Sequence, residues 1–460
     1  MRWGVTLALA ALAAPNVAQA ETLADALSAA YRNNPTLEAA RLSAASADEG
    51  AAQARAGYLP NLELMASAGL GESQVRRPDG LGGTVTANED LDPRTASIVA
   101  TQALYTGGFR GAQSRAARAG VERSRENLRA VEQEVLLAAI SGYVDVLRDQ
   151  EFVRIRGSGV ALLERQLEEA HARFEVGDVT LTDVSQAEAR LAGSRAGLSE
   201  AEASLEAARA RYLQIIGEAP GALEPPPPPP PLPPTLGEAA EQALELNPAL
   251  RDATANERLA AAQVGVERSA LLPHVSAVAR WDEAEDSVGP DIASEGASAG
   301  VQLSMPLFEG GFSRSRVRQS RIEQRRAASL TEQTRRAVLS RLSAAWNTHL
   351  SAQRVVFSSA EQARANRLAF EGVQEERSVG LRTSLDVLNA QQELLNAELA
   401  AARAQRDAYV AFHAVLQAMG LLDAAALRIN VPLYDPAEHA RAVSRTILST
   451  QPALDLRGRE

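Results

Sequence analysis

The 460-residue chain contains no cysteine. That excludes disulfides, thiolate metal sites, cysteine nucleophiles and a lipidated N-terminal cysteine. Aromatic residues are scarce, at 4% against 45% hydrophobic residues, and alanine dominates the helical stretches. Such a composition favours close helix-on-helix contact over a bulky globular core. Positive charge is in deficit: the formal net charge is −11, which argues against nucleic-acid binding, since that needs a basic footprint. Long apolar runs are missing too. No window after the first twenty residues supplies the roughly 20 apolar residues of a spanning helix, so any membrane crossing has to be made by strands. His171, His274, His349, His413 and His439 are scattered, with no HExxH pair. Nor is there a GxSxG elbow, a P-loop or a dinucleotide fingerprint. Carboxylates interleave with arginines every three or four residues, as on a solvated helix face. No enzyme activity, metal or cofactor is expected.

What is present begins with a leader. Arg2 precedes an apolar run over residues 5–14 and then Ala18-Gln19-Ala20, a small-x-small cleavage pattern. Residues 1–20 are therefore expected to be a signal peptide.

The rest of the chain is written twice. Residues 23–60 map without gaps on residues 236–273, an offset of 213, with Asn34-Pro35 on Asn247-Pro248 and Leu59-Pro60 on Leu272-Pro273. Further on the offset is 203: Gly107-Gly108-Phe109 falls on Gly310-Gly311-Phe312, and Leu213-Gln214 with Gly217 on Leu416-Gln417 with Gly420. The fixed order of these matches indicates internal duplication. The expected division is residues 21–222 for the first repeat, a Pro-rich linker at 223–235, a second repeat at 236–425, and a C-terminal tail at 426–460. The prolines at 225–231, 233 and 234 predict an extended, stiff strap. The tail is expected to be mostly irregular, since Pro432, Pro436 and Pro452 interrupt it.

Each repeat predicts a short helix stopped by Asn-Pro, a helix of roughly 22 residues ending before Leu-Pro, two strands, and a very long helix. The long helices, at residues 109–175 and 312–378, would each reach about 100 Å. A shorter helix returns, at 182–216 and 384–419. The strands alternate. Leu62, Leu64, Ala66 and Ala68 are interleaved with Glu63, Met65 and Ser67; Val275, Ala277, Ala279 and Trp281 with Ser276, Val278 and Arg280; Ala297, Ala299, Val301 and Leu303 with Ser298, Gly300 and Gln302. Residues 97–104 alternate more weakly. Ten-residue strands with one apolar face suit a membrane barrel with a watery lumen, although a half-buried soluble sheet has the same period. Residues 71–94 and 282–296 are rich in Gly, Asp, Asn and Pro and read as exposed loops. Four strands cannot close a barrel in lipid, so two or three chains would have to share one.

Between the long and returning helices stands the most distinctive motif, Val176-Gly177 with Asp183-Val184, repeated as Val379-Gly380 with Asp386-Val387. The glycine closes one helix in the left-handed conformation, and a Thr or Ser after it caps the next. Each copy reads as the tip of a helical hairpin.

Together, the Asn-Pro pairs, the Leu-Pro pairs before strands, Gly-Gly-Phe after strands and the doubled Val-Gly-x5-Asp-Val tips make the chain resemble TolC-type outer-membrane efflux proteins. The resemblance implies a mainly α fold with a membrane β-barrel. Four strands per chain would build a trimeric 12-stranded barrel above a periplasmic α-helical tunnel. It implies a homotrimer in the outer membrane of a Gram-negative bacterium. Its implied partners are a periplasmic adaptor and an inner-membrane pump of the RND type or an ABC exporter, for multidrug efflux or type I protein secretion. It also implies a gate at the tips, with Arg382 bonded to Thr182 and Asp183 and with Asp386 facing the pore. Two positions depart from the family: Arg377 stands where a gate tyrosine is expected and Asn389 where a second acid is. Gly177 and Gly380 mark the tips where an adaptor would dock. The competing reading is a periplasmic coiled-coil adaptor or spacer, which has no use for alternating strands.

Overall fold

The computed structural model describes residues 20–78, 80, 82–287, 291–444 and 449–450; residues 1–19 of the expected signal peptide and residues 445–448 and 451–460 of the tail lie outside these. Each repeat is built from helices of the same lengths. The first has α1 (Leu23–Asn33), α2 (Pro35–Ala56), α3 (Phe109–Glu175) and α4 (Leu181–Ile216). The second has α5 (Leu236–Leu246), α6 (Pro248–Ser269), α7 (Phe312–Ser378) and α8 (Ser384–Met419). Pairwise these are 11, 22, 67 and 36 residues long. The strands are β1 (Asn61–Ala68), β2 (Gly71–Pro78), β3 (Thr84–Leu91), β4 (Arg94–Thr106), β5 (His274–Glu285) and β6 (Ala293–Ser304), and a last helix α9 covers Pro436–Val443. By contacts the chain divides into two units.

One unit, the chain through Ala39 with Arg129–Asn247 and Val338–Tyr434, is helical and holds both hairpin tips. Tyr143, Tyr212, Ile140, Ile216, Leu136, Leu342 and Met419 are fully buried in it. The Asn-Pro pairs explain how its short helices join the returning ones. Asn34 ends α1, accepts the first amides of α2 on Oδ1 (Thr36 at 2.9 Å, Leu37 at 3.3 Å), and donates through Nδ2 to the Ile215 carbonyl at the end of α4 (2.8 Å). Asn247 makes the matching bond to the Ala418 carbonyl at 2.9 Å. One amide side chain thus satisfies orphan groups of two helix termini at once. Glycine is needed where the second junction closes. Gly420 has φ +81°, and an added Cβ would fall 2.6 Å from the Leu246 carbonyl oxygen. Glu21 is locked in place as well. Its amide donates to the Ala222 carbonyl at 2.7 Å, and its carboxylate accepts from the Tyr212 hydroxyl and the Gly221 amide.

The other unit, Ala40–Leu128, Pro248–Ala337 and the chain from Asp435 on, carries the strands. Its main sheet has the order β1-β4-β5-β6, all antiparallel. The weakly alternating stretch 97–104 is a strand as expected; it is longer, as the 13-residue β4, and is central, with both of its edges paired. Elsewhere the sheet departs from the sequence reading in two ways. Residues 71–94 are not an open loop: β2 and β3 form a hairpin there. β5 and β6 likewise run on into residues 282–285 and 293–296. In these extensions both strand faces are polar, so the apolar alternation that marks a strand is absent although the ladder continues.

The tail holds one short helix at a proline expected to interrupt it. Asp435 caps α9 and Pro436 occupies its first turn, so a residue read as a helix breaker is a helix starter. Buried His439 lies 3.3 Å from the buried Asp48 carboxylate, which also pairs with Arg125 at 3.3 Å, and so fixes α9 to α2 and α3.

His349 and His413 lie in the helical unit, each against the Phe412 ring. Burial pushes both pKa values below the ordinary 6.5. A base with a depressed folded pKa binds fewer protons folded than unfolded, so its contribution is complete above about 6.5 and is lost progressively as pH falls from there through the lower folded value. Thermal unfolding of the wild type between pH 7.5 and 5.5 is expected to show a falling midpoint, with a shallower slope in His349→Gln/His413→Gln; equal slopes would remove these histidines as the cause.

Candidate functional site

Both tips are built alike. Gly177 (φ +80°) and Gly380 (φ +81°) end α3 and α7 in the left-handed conformation. The capping residues are Thr180 and Thr383, each closing a capping box with the acid three positions on. Asp183 Oδ2 accepts the Thr180 amide (2.9 Å) and hydroxyl (2.8 Å). Asp386 Oδ2 accepts the same groups of Thr383 at 2.9 and 2.7 Å. The backbone amide of the capping threonine is the first cause holding each carboxyl below its usual range. Asp183 and Asp386 are thus one residue of the duplicated plan. Thr182, expected as a partner of Arg382, is exposed in the first turn of α4.

Arg382 is not brought to Asp183 within the chain. It donates from Nε to Glu376 Oε2 at 2.7 Å on its own hairpin, which raises its pKa. The positions that depart from the family pattern do join the two hairpins. Arg377, 14% exposed, reaches Glu169 of α3 at 2.7 Å. Asn389 accepts from Arg190 of α4 at 3.2 Å. Nearby, Leu388 of α8 packs with Val160, Leu163 and Leu191 of the first hairpin, and Gln391 donates to the Gly159 carbonyl at 3.3 Å. Sequence reading did not single out Glu376, Glu169 or Arg190. Glu376 is near enough in sequence to have been found; the other two are on the facing hairpin, and pairing them needs its rotational phase.

The sheet is a separate candidate functional surface. Its register lines up Leu64, Ile98, Trp281 and Ala297 in one row and Leu62, Ala100, Ala279 and Ala299 in the next. The opposite face carries Glu63, Val99, Arg280 and Ser298, then Met65, Ser97, Asp282 and Gly296. Among the described residues nothing covers the apolar face: Leu62 is 73% exposed and Val301 69%. Among the described residues no helix is long and apolar enough to cross a membrane, whereas an apolar sheet face opposite a polar one suits a barrel wall.

The family model for outer membrane efflux proteins matches residues 26–218 and again 239–421. The chain belongs to the outer membrane efflux protein family. It is 33% identical to the outer membrane efflux protein BepC of Brucella suis over 93% of this chain and 91% of BepC. It is 27% identical to the outer membrane protein TolC of Vibrio cholerae over 88% and 91%. Its fold is that of the Campylobacter jejuni CmeC outer membrane channel, with a TM-score of 0.78 at 17% identity, covering 95% of this chain and 91% of that one. This member of the efflux family is a subunit of an outer-membrane channel-tunnel that exports substrates, with its helical part in the periplasm. Its relatives are channel proteins rather than enzymes.

Replacing Thr180 with Ala removes one capping box and is expected to cost the start of α4 about 1 kcal/mol. Amide exchange in its first turn should quicken about fivefold, with the body of α3 unchanged. Unaltered exchange would show that the cap does not hold the tip.

Proposed function

We propose that three copies of the chain share one twelve-stranded barrel, and that the hairpin tips are the gate of its tunnel. The carrying observation is the four-stranded sheet, bare on its apolar face and unpaired, among the described residues, along the outer edges of β1 and β6. A spacer protein would have no reason to expose such a face to water. The polar opposite face makes a broad watery lumen, and the protein works in transport, not catalysis. Cargo would be handed over by an inner-membrane pump or ABC exporter through a periplasmic adaptor docked at the tips around Gly177 and Gly380. Efflux is the favoured role, since BepC is named for it. The domain plan of two repeats joined by a proline strap, with a cleaved leader and a tail, belongs to the same reading.

Within each chain the closed state is held by Arg377–Glu169, Arg190–Asn389 and the Leu388 contacts, which tie one hairpin to the other. Between chains, Arg382 is the cation that reaches Thr182 and Asp183 of a neighbouring copy. Asp183 commits Oδ2 to its cap and offers Oδ1. Asp386, repeated by threefold symmetry, places three carboxylates round the opening, a local field that favours cations. Glu376 competes for Arg382, so the latch is an exchange between two carboxylates rather than a single bond. Such charged bonds are directional and can be exchanged without melting the helices that carry them.

In a planar bilayer, purified protein is expected to form channels whose conductance rises in Arg382→Ser; an unchanged trace would take Arg382 out of the gate, and an absence of channels from the wild type would overturn the channel itself. A second experiment tests the latch within a chain. Arg377→Ala and Glu169→Ala should each raise conductance, and the double variant should do no more than either alone. Fully additive effects would show that the two residues do not act as a pair.

A further inference from the structure

We propose that the first turns of α7 contact anionic phospholipid, with Arg314, Arg318, Arg321 and Arg325 binding headgroup phosphates of the periplasmic leaflet of the outer membrane. The proposal rests on the reading of the chain as an outer-membrane channel subunit.

The spacing is the first observation. These four arginines stand at i, i+4, i+7 and i+11, so they fall on one face of the helix. All four are exposed, and none makes an ion pair among the described residues. Of the other arginines of this stretch, Arg316 pairs with Glu267 at 2.9 Å and Arg326 with Glu323 at 3.0 Å, whereas Arg336, which returns to the face of the stripe three turns beyond Arg325, pairs with Glu332 at 2.8 Å and so ends it. The charge is also out of keeping with the protein. Residues 312–341 hold nine arginines and two glutamates, in a chain whose net charge is −11.

The stripe opposes the stability of its own helix. The first turn of α7 has no acid, and cations near a helix N-terminus face the positive end of the macrodipole. Arg314 with Arg318, Arg318 with Arg321, and Arg321 with Arg325 are like-charge neighbours, each pair unfavourable. The first repeat keeps only part of it: Arg115 and Arg118 stand at the places of Arg318 and Arg321, but Gly111 replaces Arg314. Glu122, in place of Arg325, is bound to Arg258. An arrangement that works against the helix and has no counter-charge among the described residues of its own chain calls for an external one.

The place along the chain identifies it. The apolar face of β6 continues past the strand as Met305 and Leu307, and Leu307 and Phe308 are 87% and 90% exposed, followed by exposed Phe312. Large apolar and aromatic side chains at the end of a membrane strand mark the interface with water. Basic residues immediately beyond that belt meet the phosphates, where long side chains can reach back toward the surface. Arg314 is two residues past Phe312, and the stripe extends for about 16 Å along the helix from there, within roughly two Debye lengths.

The test uses the full-length protein purified in detergent, offered equal amounts of phosphatidylglycerol and phosphatidylcholine, with retained lipid counted by mass spectrometry. The wild type is expected to prefer phosphatidylglycerol by at least about fivefold, the order of one arginine's contribution near a charged surface. The fourfold variant Arg314→Gln/Arg318→Gln/Arg321→Gln/Arg325→Gln should fall to near parity, and the corresponding fourfold Lys variant should keep the preference. Parity in the wild type, or a preference undiminished in the Gln variant, overturns the proposal. Displacement of the lipid by an equal concentration of inorganic phosphate also overturns it, in favour of a simple anion site. Conductance in pure phosphatidylcholine separates the two readings. A conducting Gln variant that still prefers phosphatidylglycerol sinks the lipid contact and spares the channel, whereas a wild type that never conducts sinks both.

Discussion

A strand edge in hydrocarbon has nowhere to place its amide and carbonyl groups, and each one left unsatisfied costs several kcal/mol. That constraint governs the rest of the structure. The sheet exposes an apolar face, which excludes water as its solvent, and among the described residues ends on two unpaired edges, which exclude lipid as a sufficient one. Only further strands resolve both. The copies that supply them must be identical, and the edges they join are unlike: β1 comes from the first repeat and β6 from the second. A head-to-tail contact of that kind closes as a ring, and a ring encloses the polar face.

Duplication makes the ring's parts nearly equivalent without making them the same. The Asn34 and Asn247 junctions, the Thr180 and Thr383 caps and the paired helix lengths show how much of the plan is held in common. The differences are concentrated at particular side chains. Asp48 anchors His439 and Arg125 in the first repeat; Ala261 and Ala328 stand at the places of Asp48 and Arg125 in the second, so α9 has only one seat. Arg382 stands opposite Val179, and Arg377 opposite Phe174. What the repeats share builds the hairpins, and what they do not share ties one hairpin to another.

Most of the helical plan was legible in the sequence because its boundaries are chemical. Proline stops α1 and precedes β1 and β5, and Gly177, Gly217, Gly380 and Gly420 terminate helices by conformation. The long helices needed no tertiary information to be delimited. The β2–β3 hairpin and the outer ends of β5 and β6 were not legible, since strands standing in water on both faces lose the alternation that reveals them. Neither was α9, where Asp435-Pro436 reads as a break unless the cap is recognised. At the tips, the acids and the glycines could be located from the repeat alone. The partners of Arg377 and Asn389 could not, because Glu169 and Arg190 belong to a different hairpin and only packing decides which faces meet.

The equal helix lengths carry a last consequence. With α3 matched to α7 at 67 residues and α4 to α8 at 36, a residue gained or lost in one long helix would turn its tip by about 100° and move it about 1.5 Å relative to its twin. Arg377 would then no longer face Glu169, nor Leu388 its neighbours. Length in this protein is a joint property of four helices, and it can change only by matched steps in all of them.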